Sequence, residues 1–128
     1  VGPHDHLALE HRARLIGDLA DRGLLEHTLI VVLSEFGRTP GINLYYGRDH
    51  SGTAWSVCLG GAGLQRGAVI GKTNANGTAV EDRQVDHGDL FHTYLQAVGL
   101  DSTASFDIGG RDVPMADPAR QGIKELLA

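Results

Sequence analysis

The chain has 128 residues, 41% hydrophobic and 21% charged, with a net charge of −5. That is an ordinary globular composition, long enough for one domain of the usual roughly 100–200 residues and for a core without staples. The acids outnumber eleven scattered Lys and Arg, which argues against a nucleic-acid groove, and no apolar run approaches the ~18 residues of a membrane span. Cys58 is the single cysteine, so neither an internal disulfide nor a thiolate metal cluster is available. Glycine is abundant at 18 residues, and four of the seven histidines (His4, His6, His11 and His27) crowd the first stretch.

Residues 5–22, DHLALEHRARLIGDLADR, carry Ala8, Leu15, Ile16, Leu19 and Ala20 at helical spacing, and Gly23 supplies a stop. The run Thr28–Leu33, TLIVVL, is β-branched with no polar alternation, the pattern of a strand covered on both faces in a parallel sheet. After a long loop, Glu35–Ser51, a second apolar strand is expected over Thr53–Gly61 and a third, short one over Gly67–Gly71. Asn74–Thr78 reads as a turn with the Asn-Gly dipeptide of a type I′ hairpin. A helix is expected over Asp89–Val98, started by Asp89 or Asp86 and ended by Gly99. The rest is loop-rich until a short closing helix at Gln121–Leu127. The order predicts one α/β domain, or a piece of a larger one, over residues 1–128, three-layered, with a mostly parallel sheet and flanking helices.

Several motifs invite functional readings that their context weakens. Gly61-x-Gly63-x-x-x-Gly67 is one residue too long for a dinucleotide fingerprint, and GAVIGKT, Gly67–Thr73, opens no helix as a phosphate loop must. Both read as turns between short strands. Asn76-Gly77-Thr78 matches a glycosylation sequon but fits a turn better, and Cys58 reads as a small core residue. His4 and His6 form an H-x-H pair at a fraying end, where solvated histidines are the simpler reading. His92 is expected as surface or core filler.

The stretch LIVVLSEFGRTPGINLYYGRDH, Leu29–His50, is different. An apolar strand ends at Ser34 and opens onto Glu35, Arg38, Arg48, Asp49 and His50 in a short span. Strand C-termini form the ligand rim of open α/β sheets. Arg38 offers a planar fork for an oxyanion, and Asp49-His50 with Glu35 offers the oxygen and imidazole donors of a divalent metal. The same residues could instead pair as Glu35–Arg38 or Arg48–Asp49 salt bridges that staple a long loop. Spacing leaves both readings open.

LIVVLSEFGRTPGINLYYGRDHSGTAWSVCLGGAGLQRGAVIG resembles the C-terminal part of a bacterial sulfatase-like family of unknown function, marked by an EFGRTP…N…GRDH signature and placed in the alkaline phosphatase-like superfamily. The flanks DLADRGLLEHTLIVV, DHGDLFHTYLQAVGLD and GGRDVPM agree, so the likeness runs from about Leu15 to Leu127. The resemblance implies a metal-dependent sulfatase- or phosphatase-like hydrolase of a small anionic ester. Glu35, Asp49 and His50 would face a divalent Zn, Mn, Ca or Mg ion. Arg38 would be catalytic, and Arg38, Asn43 and Arg48 would bind substrate. It also implies export, to the periplasm or beyond. Phe36 stands where that superfamily pairs a histidine with the acid. The nucleophile belongs to an N-terminal half that this chain lacks, so the isolated chain is expected to be inactive, a scaffold or binding relative, with self-association through an exposed sheet edge a further option. No nucleic-acid or membrane partner is expected.

Overall fold

The computed structural model describes the backbone of residues 3–127 and the side chains of residues 10–127. The side chains of His4, His6 and Ala8 lie outside the described residues. The fold is mixed α/β, with two α-helices and four separate two-stranded antiparallel ladders among the described residues.

Helix α1 spans Pro3–Asp21, and a 3₁₀ turn follows at Leu25–His27. Proline in the first turn costs no hydrogen bond that the helix would have made. The helix closes in a Schellman arrangement. Gly23 adopts φ +69°, its N–H donates to Ala20 O at 3.0 Å, and Leu24 N–H donates to Leu19 O at 2.8 Å. Helix α2, His87–Ala97, ends the same way, with Gly99 at φ +80° and bonds from Gly99 N–H to Gln96 O and Leu100 N–H to Leu95 O. Its start is a capping box. The Asp86 carboxylate accepts from Gly88 and Asp89 N–H, and Asp89 accepts in return from Asp86 N–H. No described helix is long and apolar enough to cross a membrane.

The strands depart from the expected parallel sheet. Strand β1 is Ile30–Val32 and pairs antiparallel with β4, Cys58–Gly60, in the register Ile30↔Gly60, Val31↔Leu59 and Val32↔Cys58. A parallel return needs a crossover of a dozen or more residues, usually a helix. The segment between Val32 and Cys58 contains no helix, so the chain comes back antiparallel. The sheet has two strands, and each leaves its outer edge unpaired among the described residues. The faces are also less covered than the apolar run suggests: Ile30 and Val31 are half-buried, and Val32 and Leu33 are exposed. Cys58 is exposed too, rather than a core residue, because it borders an open groove instead of packed side chains. A groove of about 270 Å³ between α1 and this ladder is lined by Ile16, Leu25, Ile30, Val32, Cys58 and Leu59, among others.

The expected long loop holds a ladder of its own. Strands β2, Gly37–Arg38, and β3, His50–Ser51, pair antiparallel, so Arg38 sits opposite His50. The strand expected over Gly67–Gly71 is absent. Gly67 and Gly71 both adopt positive φ, which breaks an extended run, and β5 begins one residue later at Lys72–Thr73. It pairs with β6, Val80–Asp82. The intervening turn is not type I′, since that type needs positive φ at both central residues and Asn76 is not among the positive-φ positions. Instead Gly77 N–H donates to Asn74 O, and Asn74 Oδ1 accepts from Thr78 N–H.

Strands β7, Ser105–Ile108, and β8, Arg111–Pro114, form a tight hairpin in the stretch expected as loop. Its two-residue turn is Gly109-Gly110 at φ +63° and +83°, a type I′ geometry. The expected closing helix over Gln121–Leu127 does not form. Ile123 N–H donates to Thr93 Oγ1 and Leu126 O accepts from Gln65 N–H, so tertiary partners take backbone groups that a helix would need. The core lies here, around α2. It combines Leu64, Ala116 and Ile123 with buried His92, Thr93 and Ser102.

Candidate functional site

The candidate residues converge on the β2–β3 ladder and the loop that joins its strands. Gly37 is buried with no room beside it. A Cβ there would collide with Ala54 O and press on Trp55 Cβ at 3.0 Å, so glycine lets β2 run against the segment after β3. Thr39 closes the base of the loop. Its N–H donates to Asp49 O at 3.0 Å, and its Oγ1 accepts from Asp49 N–H at 3.0 Å.

Asn43 organises the tip. Its Oδ1 accepts from Tyr45 N–H at 2.9 Å and Gly47 N–H at 3.1 Å, its own N–H donates to Gly47 O at 2.8 Å, and Nδ2 donates to Asp49 Oδ1 at 2.7 Å. The carboxylate expected for a metal is thus engaged by a neutral amide.

Arg38 and Arg48 make no ion pair among the described residues. Arg38 Nη1 donates to Arg48 O at 3.2 Å, while Arg48 Nη1 donates to Thr39 O at 2.9 Å and to Pro40 O. Among the described residues the salt bridges are Glu26–Arg66, Lys72–Glu81, Arg83–Glu125 and Asp86–Arg120, none of them at this site. The Glu35–Arg38 and Arg48–Asp49 staples allowed by spacing are therefore not formed. Carbonyls hold the two guanidiniums without neutralising them, and among the described residues only the Nη1 donors are spent. Each guanidinium carries five N–H donors in all.

His50 and Phe36 stack, with centroids 3.8 Å apart and planes at 29°, and the Arg38 guanidinium carbon sits 5.4 Å from the Phe36 centroid. Glu35 is exposed at a bend just before them. No three His, Cys, Asp or Glu side chains among the described residues gather in a way that could hold a metal.

His92 belongs elsewhere. It is buried on α2, with Nδ1 2.7 Å from Ser102 Oγ and Nε2 2.9 Å from Asp117 O. His87 is the exposed first residue of α2. Residue spacing missed the exposed pair Tyr45 and Tyr46 at the loop tip, although two adjacent aromatics between Asn43 and Gly47 are a legible signal.

No curated protein and no solved structure matches the chain. The family described as Protein of unknown function (DUF1501) matches residues 10–127, nearly the whole length. The chain is a member of that family.

Proposed function

We propose that this chain supplies one wall of a site for a small anionic ester, in a hydrolase of the sulfatase/phosphatase kind to which its EFGRTP…GRDH stretch is similar. One observation carries the reading: Arg38 and Arg48 are fixed by backbone carbonyls and meet no carboxylate among the described residues. A guanidinium fixed but not neutralised is a preorganised anion receptor, because its remaining donors need no rearrangement to meet an oxyanion. Arg38 would bear on the charge that develops in the reaction. Arg48 and Asn43 would position the ester. A divalent Zn, Mn, Ca or Mg ion would draw on Glu35, Asp49 and His50 together with ligands from elsewhere.

A second reading has its own support. Asp49 is engaged by Asn43, and His50 is stacked on Phe36. Side chains used to brace a loop suit a module that binds an anion without turning it over.

Calorimetric titration of the chain with sodium sulfate and sodium phosphate tests the shared part of both readings. Saturable binding that weakens with added chloride and disappears in Arg38→Gln is expected. Binding unchanged in that variant would sink the proposal. Release of sulfate or phosphate from a bound ester would then separate the hydrolase from the binding module.

A further inference from the structure

We infer that Tyr45 and Tyr46 form a subsite for the non-ester part of the ligand, and that this part is a ring with an apolar face. The inference rests on the anion-site reading above and deepens it.

Leu44, Tyr45 and Tyr46 are 95%, 90% and 93% exposed, an extreme for three consecutive large side chains. They are not on a slack loop. The Asn43 side chain takes Tyr45 and Gly47 N–H, and Tyr46 N–H donates to Asn43 O at 3.1 Å. Tyr46 sits at φ +61°, a left-handed conformation that glycine or asparagine adopts far more readily than a bulky aromatic. Non-glycine residues held in that region concentrate at ligand-contacting sites. The turn therefore keeps a tyrosine where backbone energetics favour a small residue.

The same turn sets the arginines. Tyr46 is two residues before Arg48, whose Nη1 closes back on Thr39 and Pro40 and whose carbonyl receives Arg38. Asn43, which fixes the tyrosine backbone, also reaches Asp49 beside His50. Two exposed tyrosines on a hydrogen-bonded turn thus come two and three residues before Arg48, on the loop that Arg38 and Arg48 close, and neither arginine meets a carboxylate among the described residues. Tyrosine offers a large amphipathic surface at low entropic cost and packs against flat rings, while arginine takes the anion. A ligand that satisfies both carries an anionic ester on a ring, whether aromatic or a pyranose.

Methyl sulfate, phenyl sulfate and glucose 6-sulfate carry the same single charge and separate these features. Dissociation constants are measured by calorimetry on the full chain, on Arg38→Gln, and on the double variant Tyr45→Ser/Tyr46→Asn. Asparagine tolerates the left-handed backbone, and an unchanged unfolding midpoint verifies that the double variant folds. At least one ring ester is expected to bind about five-fold tighter than methyl sulfate, the size of a ring-packing contribution. The double variant should bring it down to the affinity of methyl sulfate. Which ring gains the five-fold identifies the source. Methyl sulfate binding with no ring preference, or a preference that survives the double variant, overturns the subsite and leaves the anion site standing. Methyl sulfate binding that is absent, or unaffected by Arg38→Gln, overturns the anion site and this inference with it.

Discussion

The Phe36 ring stacks on the His50 ring at 3.8 Å, and the same phenylalanine lies 5.4 Å from the Arg38 guanidinium carbon. Phe36 precedes β2 directly, and His50 faces Arg38 across the ladder. One half-buried aromatic therefore joins the histidine and the arginine of the candidate site. Phe36 thus acts as a brace between the two strands of the ladder.

If the brace matters, Phe36→Leu should lower stability by about 1 kcal/mol beyond the change in buried area, because leucine fills space without stacking. A double-mutant cycle with His50→Leu, followed by urea unfolding, should give a coupling of about 0.5–1.5 kcal/mol. A coupling near zero would mean the rings touch without contributing.

Gly37 allows a sharper contrast. Its backbone is not in the left-handed region, so only space opposes a side chain, and that space is filled by Ala54 O and Trp55. Gly37→Ala should cost about 1–3 kcal/mol by overpacking. Gly41, on the same loop, has nothing within 4 Å of where a methyl group would sit and no positive φ. Gly41→Ala should be neutral or stabilising by up to about 1 kcal/mol, through lost freedom of the unfolded chain. Equal effects in thermal unfolding would contradict the packing of β2 against Ala54 and Trp55.

The buried pair His92–Ser102 has an assignable proton. Asp117 O can only accept, so His92 Nε2 carries a hydrogen, and in the neutral imidazole Nδ1 then accepts from Ser102 Oγ–H. Ser102 Oγ in turn accepts from Gln96 Nε2 at 2.9 Å. Ser102→Ala would leave a buried acceptor and a donor unmatched, at about 1–3 kcal/mol. Ser105→Ala, at an exposed strand position, should stay within about 0.5 kcal/mol. Urea unfolding of the two variants decides it.

What the sequence shows and hides follows from how local each signal is. Both helices were legible, because Gly23, Gly99 and Asp86 act within one turn of the backbone they terminate. The Gly109-Gly110 hairpin was equally local and readable, yet a loop-rich composition masked it. The partner and direction of β1 were not local at all. They depended on the absence of a helix between Val32 and Cys58, and an apolar run alone cannot tell a parallel neighbour from an antiparallel one. The closing segment failed for a similar reason, since Thr93 and Gln65 claim its backbone from distant positions. At the candidate site, residue types revealed the charges. Their pairing was hidden, because a guanidinium can satisfy itself on carbonyls that every residue carries.

A last expectation concerns acid. Arg83 meets Glu125 as a fork, Nε to Oε1 at 2.7 Å and Nη2 to Oε2 at 3.0 Å. These charge-assisted bonds, followed by a backbone N–H, hold the Glu125 carboxyl at about 2, and Glu125 raises Arg83 in return. A depressed folded pKa makes stability that is complete above the unfolded value of roughly 4.3 and is lost as pH falls through the folded one. The chain should therefore lose stability between pH of about 4.3 and 2. In Glu125→Gln that slope should be shallower. Asp101, lowered by the Thr103 hydroxyl and N–H, adds slope of the same sign in both proteins, so their difference isolates Glu125. A Glu125 titration by carbon-detected NMR with a midpoint near 4.3 would show that the fork does not persist in solution. Because the fork joins the end of β6 to the C-terminal segment that packs on α2, its release should expose that segment first. Lower protection of Ile123 N–H in Glu125→Gln than in the unsubstituted chain, both at pH 5 and corrected for the intrinsic exchange rate, would report that release.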